Sequence, residues 1–257
     1  MSPHLLLVAI GQYETVEREF SGIDGRTRPS LSFIEEYLDA EQRQASLDSM
    51  SRIPEFLHRL ERQLGPYPGT AVGAVVNSND SGYALETQDR PVFDGVIDDS
   101  TLLHELVHQW FGNSVTPDDW SDLWLAEGPA VFYEDIEALD VQSHEEEIVR
   151  LYRDEWEQST GSEETWQIPM AGFTSPEQLF GDQVYRRSAM ALGYLLDKIG
   201  GDEFSRFMRL WADHGRADDE GSLSTHDLLD LLDKETSLDV EKFSREWIYG
   251  HEKPSWD

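Results

Sequence analysis

The chain has no cysteine among its 257 residues, which excludes disulfides and thiolate metal ligands and says little about compartment. Basic residues are scarce. Twenty Lys and Arg stand against 52 Asp and Glu, for a formal net charge of −32, and only Lys198, Lys234, Lys242 and Lys253 are lysines. Nucleic acid is not an expected partner, because it needs a basic face that neutralises phosphates. The acids run along the whole chain and do not collect in a tail, which would suggest a partner-binding arm. A uniformly acidic, lysine-poor surface points to adaptation to high salt. Self-repulsion at this charge opposes the compact state in dilute buffer, and at molar salt the Debye length falls to about 3 Å. The expected source is a halophile, an archaeon. No apolar run approaches the roughly 18 residues of a membrane span. The opening Leu5–Ile10 run is too short for a signal-peptide core and lacks a basic flank, so the cytoplasm is the expected location. There is no internal repeat and no low-complexity linker.

What is present reads as two kinds of segment. Leu5 to Tyr13 reads as a strand, Leu31 to Leu38 is open between strand and helix, and Ala40 to Leu64 reads as a helix kinked at Pro54. The cluster Gly65-Pro66-Tyr67-Pro68-Gly69 is a turn. Ala71 to Asn77 and Tyr83 to Thr87 read as strands. After about residue 143 the pattern is helical, over roughly 144–158, 183–199, 202–214, 225–234 and 239–249, by apolar periodicity. The expectation is α+β: a mixed lobe over 1–142, then a helical lobe over 143–257.

The chemistry concentrates at residues 104–108, His-Glu-Leu-Val-His, with Glu127 nineteen positions after His108. Two His at i and i+4 share one helix face, so both rings can reach one metal ion. The Glu between them is placed to hold a water on that metal, and a later carboxylate completes three protein ligands with a fourth position open. The alternative is a helix with two His that are merely buried or solvated. The surroundings oppose it. Asp99 or Ser100 can cap a helix start, Leu102, Leu103, Leu106, Val107 and Trp110 are apolar, and Gly112 can end the helix. A buried helix carrying His-Glu-His must satisfy those polar groups, and a metal does so. The helix bearing Glu127 is expected to start near Leu125, because Pro129 is tolerated in a first turn.

The run His104-Glu-Leu-Val-His-Gln-Trp-Phe-Gly-Asn113, followed by Trp120-Ser-Asp-Leu-Trp-Leu-Ala-Glu-Gly128, closely resembles the gluzincin aminopeptidases of the aminopeptidase N type. Tyr83-Ala-Leu-Glu-Thr87 occupies the place of that family's Gly-Ala-Met-Glu-Asn segment, and Val184-Tyr-Arg-Arg-Ser-Ala189 resembles its Val-Tyr-x-Lys/Arg-Gly-Ala segment. Trp247-Ile-Tyr-Gly250 looks like the close of its shorter bacterial and archaeal members. The resemblance implies a thermolysin-like zinc peptidase catalytic domain followed by a mostly helical lobe. By matching position, His104, His108 and Glu127 would bind one zinc ion and Glu105 would be the general base. Glu86 would bind the free α-amine of a peptide substrate, Tyr185 would stabilise the oxyanion, and Glu134 would orient a ligand His. Each role has a physical basis. Zinc can lower the pKa of a water to about 7 and Glu105 can take the proton. An α-amine is largely protonated at neutral pH, so a fixed carboxylate selects chain ends. Glu134, seven residues beyond Glu127, returns to the same helix face. Taken singly, Tyr185 reads as a core Tyr, Glu86 as a solvated strand residue and Glu134 as an exposed acid.

The chain departs from the family at Tyr83, Thr87, Ala126, Pro129 and Ser188, none of which removes a ligand or the base. Members of that family also carry a β-sandwich domain before the catalytic domain, and Leu5–Tyr13 looks like its end or the link from it. A misassigned start, a truncated or split gene, and a separate partner chain that supplies the sandwich are three competing accounts. Two rivals to an aminopeptidase stand beside it: an endopeptidase of thermolysin type, and a zinc-binding remnant without catalysis. Side-chain preference and oligomeric state are not encoded in any recognisable motif.

Overall fold

A computed structural model describes residues 5–79, 81–139, 145–217 and 221–257. The chain divides into two compact units, one ending at Ser114 and the other beginning at Val115. The boundary expected at 142/143 lies outside the described residues.

The first unit is built on a five-stranded sheet. β1 (Tyr13–Ser21) and β2 (Thr27–Glu35) form an antiparallel hairpin paired from Tyr13↔Glu35 to Ser21↔Thr27. β3 (Val75–Asn77) joins β2 in parallel, β5 (Val92–Asp94) joins β3 in parallel, and β4 (Tyr83–Leu85) pairs antiparallel with β5 at the far edge. The order is therefore β1-β2-β3-β5-β4.

Two strand expectations shift. Of the run expected as a strand over Leu5–Tyr13, only Tyr13 joins a ladder among the described residues: the strand begins there, and Leu6, Val8 and Ile10 are exposed. An apolar run becomes a strand only where a neighbour satisfies its backbone, and β1 finds that neighbour in β2. The strand expected from Ala71 regularises only at Val75. Gly73 passes so close to β2 that a Cβ there would lie 1.9 Å from the Leu31 carbonyl oxygen.

The helix expected over 40–64 is two helices, α1 (Ala40–Ser51) and α2 (Ile53–Leu64). Asp39 caps α1 reciprocally with Gln42. Pro54 falls in the first turn of α2, where a missing N–H costs nothing, so the chain breaks before it and does not bend through it. Ile53, Phe56, Leu57, Leu60 and Leu64 make one buried stripe of α2 at helical spacing.

In the second unit, a short 3₁₀ turn at Trp120–Asp122 leads into α4 (Trp124–Ala138), whose residues from Trp124 to Tyr133 are all buried. The α4 start agrees with expectation, but Pro129 lies in the second turn. The proline removes only its own bond to the Leu125 carbonyl, and the helix continues. α5 (Glu145–Gln158), α6 (Glu164–Gln167), α7 (Arg186–Ile199), α8 (Gly201–Ala217), α9 (Thr225–Glu235) and α10 (Val240–Phe243) follow. Ser244–Ile248 continues α10 as a π-helical turn, which splits the single helix expected over 239–249. β6 (Thr116–Pro117) and β7 (Ser222–Leu223) form a small parallel pair. α4 packs on α7, and α7 packs on α5. Phe132 of α4 stacks on Tyr152 of α5 with centroids 5.6 Å apart. Among the described residues, no helix is long and apolar enough to cross a membrane.

Candidate metal centre and active site

α3 (Asp99–Val107) follows β5 and carries the His-Glu-x-x-His run. Its cap is Asp98, one residue ahead of the expected candidates: the carboxylate accepts from the Thr101 N–H at 2.9 Å. Asp99 instead occupies the first turn, where a negative charge suits the helix dipole. The His104 and His108 rings lie edge to face with centroids 4.8 Å apart, the one-face placement that a four-residue step gives.

The donor atoms of His104, His108 and Glu127 lie within 4.8 Å of one another. Two imidazoles and a carboxylate are the donor set of a catalytic zinc site with a fourth position open, so the residues present fit zinc. His108 and Glu127 are buried and His104 is half-buried. His108 Nδ1 lies 3.1 Å from the Phe111 carbonyl oxygen. A carbonyl can only accept, so Nδ1 carries the hydrogen and the lone pair is on Nε2, the form in which imidazole binds a metal.

Glu105 is buried on the same helix. Glu86 is half-buried just beyond β4, at the centre of a γ-turn closed by the Thr87 N–H on the Leu85 carbonyl at 2.8 Å. Tyr83 on β4 is exposed. Partial burial raises its phenol pKa, and the charges of Glu86 and then Glu105 raise it further, so the three share one electrostatic neighbourhood.

Two residues of the motif run had no role in the sequence reading. Asn113 Nδ2 donates to the Glu86 carbonyl at 2.8 Å. Gln109 Oε1 accepts from the Asp89 N–H at 3.0 Å, and its Nε2 faces the Thr87 carbonyl at 3.4 Å. Their partners are backbone atoms of residues 86–89, which leave no signal in the sequence.

Within the second unit, Glu127 lies in the first turn of α4 and Glu134 two turns on, half-buried. The start of α4 is pinned by a buried relay. Trp124 Nε1 donates to Thr225 Oγ1 at 2.9 Å, and Thr225 Oγ1 donates to Asp122 Oδ1 at 2.5 Å. Burial raises the Asp122 pKa, and the Thr225 hydrogen bonds partly oppose that shift.

Tyr185, expected within a helix over 183–199, stands at the residue before α7 and is half-buried. Its neighbours fix this turn. Arg186 pairs with Asp135 of α4 at 2.8 Å and with Glu155 of α5. Arg187 is fully buried and donates to backbone carbonyls including those of Trp247 at 3.0 Å, Ile168 at 2.8 Å and Gly250 at 2.9 Å. Desolvation lowers its pKa to about 10, which still leaves it charged at neutral pH.

The model of the peptidase family M1 domain matches residues 94–247, and the chain belongs to that family. It is 25% identical over 280 residues to a probable aminopeptidase 2 of Sulfurisphaera tokodaii, covering 96% of this chain and 33% of that protein. The fold superposes on a crystal structure of an M1 zinc metallopeptidase from Deinococcus radiodurans with a TM-score of 0.77 at 25% identity, covering 93% of this chain and 52% of that one. A variant of the Deinococcus enzyme bound to a Tyr-Ser-Ala substrate gives a TM-score of 0.78 at 24% identity, covering 94% and 52%. The chain thus spans a third to a half of the length of these relatives.

Proposed function

We propose that the chain is the catalytic part of a zinc aminopeptidase that hydrolyses N-terminal peptide bonds. The observation that carries this reading is the grouping of His104, His108 and Glu127, with Glu105 between the two His. Zinc, when bound there, supplies Lewis acidity toward water and toward the scissile carbonyl. Glu105 takes the proton of the attacking water and delivers it to the leaving nitrogen as the C–N bond breaks. The Tyr185 hydroxyl donates to the developing oxyanion. Glu86 holds the substrate's α-ammonium, which restricts cleavage to chain ends. Glu134 orients a ligand His. A peptide substrate is consistent with the Tyr-Ser-Ala bound by the similar Deinococcus enzyme.

The mixed and helical segments meeting near 142/143 act as the two lobes of one catalytic domain. A β-sandwich, on this chain or a partner, completes the amine-binding end. The setting is saline and cytoplasmic, and the net charge of −32 makes the melting temperature climb with KCl up to molar concentration.

The test is hydrolysis of matched free-amine and N-acetylated peptides in molar KCl by wild type and Glu86→Gln. Cleavage confined to free amines, with that preference lost in the variant, supports the aminopeptidase. Equal cleavage of both substrate sets by wild type supports an endopeptidase instead.

A further inference from the structure

Asn113 joins two parts of the site that the chain brings from different elements. Its backbone N–H donates to the carbonyl of His108 at 3.0 Å, and its side-chain Nδ2 donates to the carbonyl of Glu86 at 2.8 Å. Asn113 is buried and the Glu86 end of the side-chain bond is half-buried, so water competes only partly for these groups. Gln109, one helical turn beyond Glu105, adds a second link. Its amide accepts from Asp89 N–H at 3.0 Å and faces the Thr87 carbonyl at 3.4 Å, and only 1% of the residue is exposed.

The segment these amides hold needs holding. Beyond β4 the sheet ladder stops, Glu86 sits in a γ-turn, and Asp89 adopts φ +62°, the left-handed region that costs a non-glycine residue energy. Its other ties include Arg90 N–H to the Thr87 carbonyl at 3.3 Å, Gln88 N–H to the Leu5 carbonyl at 3.0 Å, Arg90 Nε to the Leu31 carbonyl of β2 at 3.1 Å, and the Thr70 hydroxyl to the Asp89 carboxylate at 3.2 Å. Gln109 and Asn113 connect it to the helix that carries His104 and His108.

We propose that Gln109 and Asn113 are positioning residues that set the distance between the α-ammonium site at Glu86 and the metal site. Neither touches substrate. Asn113 fixes the Glu86 carbonyl relative to His108, and Gln109 fixes the strained turn that follows. A ligand that engages both the metal and Glu86 benefits from this spacing, whereas one that engages the metal alone does not. The proposal rests on the aminopeptidase reading of Glu86.

The experiment compares two probes by titration calorimetry on the zinc-loaded full chain in molar KCl: leucine hydroxamate, and the same hydroxamate without its amine. Wild type should bind the amine-bearing probe more tightly, and Glu86→Gln should remove that advantage. Asn113→Ala should weaken the amine-bearing probe about tenfold, the scale of one lost buried hydrogen bond, and leave the other probe and the zinc stoichiometry unchanged. For peptide substrates, KM should rise by a similar factor with kcat within about threefold. Gln109→Met, which keeps the volume and removes the amide, should act in the same direction and carries the test if Asn113→Ala does not fold.

An unchanged amine advantage in both variants, with Glu86→Gln still abolishing it, overturns the proposal and leaves the aminopeptidase reading standing. No advantage in wild type overturns that reading, and the proposal with it. Failure of both variants to fold overturns the proposal, since it assigns them a structural role only.

Discussion

Gly128 follows Glu127 in α4 and faces α7, the helix that Tyr185 precedes. A Cβ at position 128 would lie 2.9 Å from Ser188 Cβ, 3.0 Å from Ser188 Oγ and 3.5 Å from the Ser188 carbonyl carbon. Ser188 cannot rotate away, because its Cβ is fixed to the α7 backbone. Its Oγ is also engaged by the carbonyls of Val184 and of Tyr185, the latter at 2.8 Å. Gly128→Ala must therefore push the helices apart. Overpacking of this kind costs about 1–3 kcal/mol, and replacing a helical Gly by Ala returns up to about 1 kcal/mol. With the full return subtracted, the expected net loss is up to about 2 kcal/mol, with a fall in kcat as Tyr185 moves away from α4. Ser188→Gly removes both atoms nearest the new methyl. The double variant Gly128→Ala/Ser188→Gly moves the glycine from one helix to the other and should recover most of the loss, a coupling of about 1–2 kcal/mol. The assay is urea denaturation of the four zinc-saturated proteins in molar KCl, with kcat measured alongside. Additive effects, or a stabilising Gly128→Ala, would refute the close-approach argument.

Further outcomes follow from the same structure. Thr225→Val removes the hydroxyl shared by Trp124 and Asp122, leaving a buried donor and a buried carboxylate short of a partner. It should cost about 2–3 kcal/mol in urea denaturation, and a cost below about 0.5 kcal/mol would contradict the relay. Asp24 is held at a pKa of about 2, below the ordinary 3.8, first by the hydrogen bonds from Arg28 and then by the Arg26 N–H. A depressed folded-state pKa gives stability that is present above the unfolded value and lost as pH falls. The stability difference between wild type and Asp24→Asn should therefore be full above about pH 4 and disappear toward pH 2. A difference constant across that window would rule out the linkage.

How much of this was legible in the sequence depends on the range of the interaction concerned. The His104–His108 face and the start of α4 are local consequences of a four-residue step and of proline chemistry, and they stand where expected within a residue. Pro129 tolerates a deeper position than the first-turn rule gives, because a helix buried on all sides for ten residues can forgo one bond. The break between α1 and α2 follows from where Pro54 costs least. Strands were harder. Val92–Asp94 is three residues long and carries no alternation of its own. Leu5–Ile10 has the composition of a strand but forms no ladder among the described residues. The Asp122–Thr225 bond spans 103 positions, and no pattern in one sequence encodes such a pairing. The roles of Gln109 and Asn113 lay inside the most conspicuous run of the chain. They stayed unread because their partners are backbone atoms, which leave no trace in residue identity.

The central claim is that the His104–His108–Glu127 group holds zinc for a reaction in which Glu105 moves the proton. Its most direct test is Glu105→Gln beside wild type, each assayed for zinc content and for hydrolysis of free-amine peptides in molar KCl. The account predicts one zinc in both proteins and a rate about 10²–10⁴-fold lower in the variant, the usual contribution of a general base. A variant that keeps its zinc and its rate would contradict that role for Glu105. A folded, zinc-loaded wild type with no turnover would mark the chain as a metal-binding remnant.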